Sequence, residues 1–151
     1  MRRAFWLLMA SVVMLVLPNA AGASASGWRA ELPGIADSAV LAGGGIVVAT
    51  GDTVSMLKDG AVLWSWKAGE DVRKLAAGAD GSVLAAYGNT LAKLTADGSP
   101  VWKSATYDLV YMLGILDDGT ILAGYEYGLL AFGPDDGKHL WEHYAHEECD
   151  T

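Results

Sequence analysis

The stretch DGSVLAAYGNTLAKLTADGSPVW, residues 80–102, alternates short apolar runs with turns that contain glycine beside Asp or Asn. Asp-Gly between apolar runs indicates a hairpin, because glycine readily adopts the positive φ of a tight turn. No segment after residue 27 has the sustained period and the caps of a helix. This part of the chain predicts an all-β unit of four strands: Val72 to Gly78, Ser82 to Tyr87, Thr90 to Thr95 and Pro100 to Ala105.

The same pattern recurs along the chain, and tryptophan marks its period. Trp28, Trp64, Trp102 and Trp141 are separated by 36, 38 and 39 residues. An Asp-Gly pair precedes each of the last three, with the glycine four residues before the indole, at Gly60, Gly98 and Gly137. Each of the first three is followed after 17 residues by Gly45, Gly81 or Gly119, and after 21 by Ala49, Ala85 or Ala123. Register kept across so many residue types indicates an internal repeat.

Four short antiparallel strands in a unit of this length are typical of a β-propeller blade. We therefore expect about three blades, at approximately residues 36–67, 70–105 and 108–145, in a repeat region that covers 26–151. The alanines would suit close contacts between blades, and each indole would lie between neighbouring blades with its N–H bonded to a carbonyl. A β-sandwich would not require the period, and β-solenoid repeats are usually shorter.

The N-terminus has the layout of a secretory signal peptide. Arg2 and Arg3 precede an apolar run over residues 4–17, and small residues at 21–25 offer cleavage sites. The alternative, a membrane anchor, would need about 20 apolar residues. No cysteine lies near the cleavage region, which disfavours a lipoprotein. We expect residues 1–25 to be a signal peptide helix that is removed, leaving a periplasmic or secreted bacterial protein with no membrane span.

Charge and cysteine content exclude several classes of function. The 151 residues carry 10 Lys+Arg against 18 Asp+Glu, a net charge of −8, which argues against a nucleic-acid partner. The single cysteine, Cys149, excludes an intrachain disulfide framework and a four-cysteine zinc site.

The chain end holds the one constellation with metal-ligand chemistry, His143, His146 and Cys149, spaced by three residues. An unstructured acidic terminus is the commoner explanation of such a cluster, and no metal site is predicted. The pairs Asp117-Asp118 and Asp135-Asp136 lack the alternating pattern of a calcium loop and suit hairpin turns.

The stretch AFGPDDGKHLW, residues 131–141, resembles the tryptophan-docking repeat of pyrroloquinoline quinone-type (quinoprotein-like) propellers. Ala131, Gly137, Lys138 and Trp141 match that repeat, while Gly133 stands where the family prefers Asp. The stretch AKLTADGSPVW, residues 92–102, keeps the Ala, Gly and Trp, and LKDGAVLW, residues 57–64, keeps the turn and the Trp. The resemblance spans about residues 28–145, and it implies the repeat type more strongly than cofactor use.

The resemblance also implies an incomplete ring, because propellers of this family usually have six to eight blades. Three explanations remain open: a fragment of a longer protein, a homo-oligomer that completes the ring, and an open stack. In the last two, exposed blade edges would pair with another chain.

These observations predict an exported, non-catalytic binding or scaffold module of the cell envelope, with a protein partner and without a cofactor. The alternative is a fragment of a quinoprotein dehydrogenase whose cofactor-binding blades lie outside this chain, and a third reading is a ligand sensor. The calcium-ligating Glu and Asn, the Asp base and the vicinal cysteines of such enzymes cannot be placed here. Tyrosines concentrate in the third unit, where they suit protein or sugar contacts or fill strand faces: Tyr107, Tyr111, Tyr125, Tyr127 and Tyr144.

Overall fold

A computed structural model describes residues 31–144, and these form twelve strands. The predicted signal segment 1–25, Trp28, His146 and Cys149 lie outside the described residues. The strands are β1 (Ile35–Val40), β2 (Ile46–Thr50), β3 (Thr53–Lys58), β4 (Ala61–Lys67), β5 (Val72–Ala77), β6 (Val83–Tyr87), β7 (Thr90–Leu94), β8 (Pro100–Ala105), β9 (Met112–Ile115), β10 (Ile121–Tyr125), β11 (Gly128–Phe132) and β12 (His139–Tyr144).

The strands form three four-stranded antiparallel sheets, which we call sheet 1 (β1–β4), sheet 2 (β5–β8) and sheet 3 (β9–β12). Within each sheet, strands adjacent in sequence are adjacent in space. The first strands of successive sheets contact each other, β1 with β5 and β5 with β9. The first strands therefore form the inner side of the stack, and β4, β8 and β12 are the outer edges. The prediction of an all-β chain with four strands per unit is confirmed for the described residues.

The core fills the two gaps between sheets, which we call the first gap (between sheets 1 and 2) and the second gap (between sheets 2 and 3). Side chains of sheets 1 and 2 form one buried cluster, and side chains of sheets 2 and 3 form another. Sheet 2 is covered on both faces, so all five residues of β6 are buried. This explains why its sequence, VLAAY, is apolar without the alternation of a half-exposed strand.

The strand pairing corrects the register that the tryptophan spacing predicts. The β2–β3 hairpin pairs Thr50 with Thr53, and the β6–β7 hairpin pairs Tyr87 with Thr90, so Thr50 corresponds to Tyr87. Ala49 therefore corresponds to Ala86 and not to Ala85. It lies on the opposite face of its sheet from the position that Ala85 and Ala123 occupy in theirs. A slip of one residue reverses the face of every side chain in a strand.

The turn glycines show the same offset of one residue. Gly44, Gly81 and Gly119 have φ values of 80°, 81° and 86°, and each lies two positions before the first residue of the second strand of its sheet. Gly44, rather than Gly45, is therefore the counterpart of Gly81. The left-handed backbone conformation, which glycine accepts at low cost, identifies this position in each sheet.

Candidate interaction surfaces

Two of the repeat tryptophans contact the sheet that follows their own. Trp64 on β4 donates from Nε1 to the carbonyl of Ala96 in sheet 2, at 2.8 Å. Trp102 on β8 donates from Nε1 to the carbonyl of Pro134 in sheet 3, at 3.2 Å. Each indole thus bonds to the loop between the third and fourth strands of the following sheet, and both rings are half-buried.

Each docked indole lies against a glycine of that loop. A Cβ on Gly98 would lie 2.6 Å from Cδ2 of Trp64, and a Cβ on Gly137 would overlap Cε3 of Trp102. Both glycines also have positive φ, 84° and 66°. The loop needs glycine for two reasons, the left-handed backbone and the room for the indole. The hydroxyl of Ser104 donates to the carbonyl of Gly137 and extends the second contact.

Trp141 occupies the same place in sheet 3 but has no such partner among the described residues. It pairs with Ala131, as Trp64 pairs with Met56 and Trp102 with Lys93. Its face of sheet 3 points away from sheet 2, and 46% of the residue is exposed. Gly60, in the corresponding loop of sheet 1, has φ of 82° and is also exposed.

Exposed apolar side chains concentrate on sheet 3 and its loops. Eight of the twelve large apolar residues that are exposed in the described part of the chain lie between residues 107 and 144. We call these the exposed sheet 3 residues: Tyr107, Tyr111, Met112, Leu116, Tyr127, Leu140, Trp141 and Tyr144. Exposed apolar surface of this kind marks interaction sites in soluble proteins.

Of the three candidate metal ligands, only His143 lies within the described residues. His143 lies on β12 on the same face as Leu129, with which it pairs, and His146 and Cys149 fall outside the described residues. His139 pairs with Phe132 on the opposite face, and its Nε2 lies 3.8 Å from Oε2 of Glu142. Residues 31–144 contain no group of three His, Cys, Asp or Glu side chains placed to hold a metal ion.

The turn aspartates use their carboxylates to close hairpins. Asp80 accepts from the amide and the hydroxyl of Ser82, at 3.0 and 2.6 Å, and Asp118 accepts from the amide of Thr120 at 2.9 Å. These hydrogen bonds lower the pKa of both carboxyl groups, with the Ser82 hydroxyl contributing most at Asp80 and the Thr120 amide at Asp118. The bonds are those of Asx turns, which explains the Asp-Gly pairs without calcium.

A small cleft of about 220 Å³ lies between sheets 2 and 3, at the loop end that receives Trp102. The side chain of Lys93 is 15% exposed there, donates to the carbonyl of Pro134 at 2.9 Å, and lies 4.0 Å from the Asp80 carboxylate. Its charge is therefore already compensated. Lys93 takes the place that Met56 has in sheet 1, so this lysine is particular to the second gap.

The outer parts of the two gaps hold different charged groups among aromatic rings. Between sheets 1 and 2, Nζ of Lys103 lies 5.6 Å from the Trp66 ring centre and 5.8 Å from that of Tyr87. Between sheets 2 and 3, Glu142 lies near Tyr107 and Tyr144, whose pKa values are both raised. The charge of Glu142 is the main cause at Tyr107, and burial is the main cause at Tyr144.

The tyrosines stand out in the amino-acid sequence, whereas Glu142 and Lys103 were not predicted as site residues. The signal was present, because each of these residues directly follows a repeat tryptophan. The position after a tryptophan does not show which aromatic rings surround the charge, because that depends on strand pairing and on the packing of the sheets. Within residues 31–144, no helix has the length and apolar character needed to cross a membrane.

Comparison with families of known proteins gives a match over most of the chain. The family model described as "Outer membrane protein assembly factor BamB" matches residues 17–148. A search of curated proteins finds no match.

Solved structures share the fold at low sequence identity. BamB from Moraxella catarrhalis has a TM-score of 0.68 and 20% identity, over 78% of this chain and 39% of that one. The WD40 β-propeller domain of Doa1 has a TM-score of 0.66 and 16% identity, over 78% of this chain and 43% of the other. A protein of unknown function from Bacteroides caccae has a TM-score of 0.58 and 16% identity, over 79% and 51%. The three sheets therefore match propeller blades, and this chain spans about two fifths of the length of the first two structures.

Proposed function

Since this chain belongs to the family described as outer membrane protein assembly factor BamB, we propose that it is an exported, non-catalytic binding or scaffold module of the cell envelope. Its partner is a protein, and it holds three blades of a partial propeller. The predicted signal peptide at residues 1–25, without a cysteine near its cleavage region, supports a periplasmic or secreted location.

The observation that carries this proposal is the concentration of exposed apolar residues on sheet 3. Trp141 is central to it, because its counterparts Trp64 and Trp102 both dock on another sheet. Burial of an aromatic side chain stabilises a protein interface more than burial of most others. A protein surface with a loop like the one at Gly137 would complete the contact that Trp141 lacks among the described residues.

Site-specific photo-crosslinking in bacterial cells tests this function. A photoreactive phenylalanine analogue replaces Tyr127 or Leu140 in the full chain, and Leu63 serves as the matched control. Leu63 and Leu140 both lie one residue before a repeat tryptophan, beside a bulge of the outer strand, and are 57% and 53% exposed. We expect crosslinks to an envelope protein from the two sheet 3 positions and none above background from Leu63.

The other results have defined meanings. Retention of the protein in the cytoplasm, or equal crosslinking from Leu63, would overturn the proposal. Crosslinks from sheet 3 to another part of the same polypeptide would show that a further sheet covers the exposed face of sheet 3. Stoichiometric uptake of pyrroloquinoline quinone with Ca²⁺ by the purified protein would favour the dehydrogenase alternative.

A further inference from the structure

The outer parts of the two gaps are built on equivalent positions. In sheet 2, Lys103 lies on the row of paired residues that runs through Ala92 and Ala85, and in sheet 3 Glu142 lies on the row through Leu130 and Ala123. Tyr87 and Tyr125 are the last residues of β6 and β10. The repeat therefore places a lysine in the first gap where it places a glutamate in the second.

The first gap supplies its own cation. The ammonium of Lys103 lies near both Trp66 and Tyr87, within the range of a cation–π interaction. Those two rings are 5.8 Å apart at an interplanar angle of 64° and thus present a face and an edge to one site. The molecule itself shows that this position, among aromatic rings, holds a positive group.

The second gap has the rings and a carboxylate but no lysine or arginine at the equivalent position. The Tyr125 and Tyr144 rings are 6.5 Å apart at 89°, and the Tyr107 ring is 6.3 Å from that of His139. Tyr107 and Tyr144 are more than half exposed, so the cluster is open to solvent. The pKa of Tyr107 is raised chiefly by the charge of Glu142, and the pKa of Tyr144 is raised first by burial and then by hydrogen bonding to Glu142, which agrees with a carboxylate beside both phenols.

One polar atom of the cluster lacks a partner. The hydroxyl of Tyr125 is shielded from solvent and makes no hydrogen bond within the described residues. A buried hydroxyl without a partner is costly, and a donor from a ligand would satisfy it. A guanidinium or ammonium group has donors for both this hydroxyl and the Glu142 carboxylate.

We infer that Glu142, with Tyr107, Tyr125 and Tyr144, binds a lysine or arginine side chain of the protein partner. This inference rests on the proposed function and names the chemistry that the partner presents. The cluster lies beside β12, an outer strand whose six residues are all exposed. An extended segment could pair with this edge while its basic side chain enters the cluster, which favours a protein over a small cation.

Peptide binding tests the inference. The probes are three acetylated and amidated peptides, Thr-Val-Xaa-Val-Thr, in which Xaa is arginine, lysine or norleucine. Affinity is measured by calorimetry, and the site by NMR shifts of β12 amides, with protein purified after export of the full chain. All measurements are made in one buffer at pH 8.

Three variants make the result specific. We expect the arginine and lysine peptides to bind at least tenfold more tightly than the norleucine peptide, and Glu142→Gln to remove that difference. Glu70→Gln, which removes the same charge from an exposed site between sheets 1 and 2, should leave binding unchanged. Glu142→Lys should abolish binding with no loss in thermal midpoint, since the protein would then supply its own cation as it does at Lys103.

Full affinity in Glu142→Gln, equal binding of the norleucine peptide, or an equal loss in Glu70→Gln would overturn the inference. Envelope crosslinks that are unchanged in Glu142→Gln would leave the proposed function standing and remove this site. Specific peptide binding without any envelope crosslink would support this site and overturn the proposed function.

Discussion

Trp102 and Trp141 occupy the same position in consecutive sheets, and their surroundings differ. Trp102 bonds to the Pro134 carbonyl and packs on Gly137, while nearly half of Trp141 is exposed. The strands around them are otherwise alike in order and pairing. The difference shows that the repeat unit is incomplete by itself, because half of each docking contact belongs to the next sheet.

The largest expected effect comes from removing a docked indole. Trp102→Ala should lower the free energy of unfolding by about 3 kcal/mol, since it removes packed aromatic surface and leaves a space against Gly137. Trp141→Ala, the matched change at the exposed position, should cost about 0.5 kcal/mol or less. Urea denaturation of the two variants measures both values. Equal losses would contradict this prediction and would show that Trp141 is docked as Trp102 is.

A smaller effect separates the loop glycines that receive an indole from one that does not. Gly137→Ala should cost about 2–3 kcal/mol, because it combines a left-handed backbone with overlap of Trp102. Gly44→Ala should cost about 1 kcal/mol, since its φ is 80° but its added Cβ meets open space. Denaturation midpoints compare the two. A similar cost at both positions would mean that the indole yields and that docking needs only the turn.

The smallest effect tests the charged part of the same interface through pH. The pKa of Asp80 is lowered in the folded state, chiefly by the Ser82 hydroxyl, so its charge stabilises the fold above the ordinary value of 3.8. That contribution is lost as the pH falls from 3.8 through the folded pKa. Asp80→Asn should therefore be less stable than the parent at pH 7, and the difference should shrink below pH 4.

The expected difference at pH 7 is under about 1 kcal/mol, because 66% of the Asp80 side chain is exposed and solvent screens it. Asp117→Asn is the control, as it removes the same charge from the lining of the same cleft. Thermal midpoints from pH 3 to 7 give the comparison. An identical pH profile for the two variants would contradict a specific role for the Asp80 turn.

Much of the fold is predictable from local sequence, and sheet 2 shows why. The expected strand from Val72 to Gly78 is observed as Val72–Ala77, and the strand Pro100–Ala105 has the predicted bounds. Apolar runs of five or six residues between Asp-Gly turns leave little freedom in where a strand begins or ends. The register of sheet 1 was predicted wrongly by one residue, because spacing from Trp28 does not report which glycine takes the left-handed conformation.

The candidate site was less predictable. The tyrosines of the third unit stood out in the sequence, but their association with Glu142 depends on three separate elements. Tyr125 comes from β10, Tyr144 and Glu142 come from β12, and Tyr107 comes from the connection between sheets 2 and 3. Local patterns do not encode which residues of separate strands become neighbours.

The repeat, the four-stranded unit and the turns can be read from the amino-acid sequence, because they depend on interactions within a few residues. The acidic net charge of −8 is likewise a property of composition alone. Which indoles are docked, and which charge lies among the aromatic rings of each gap, follow from the packing of one sheet on the next. Those properties depend on the contact between sheets, where each side chain meets residues about 30 to 40 positions away in the chain.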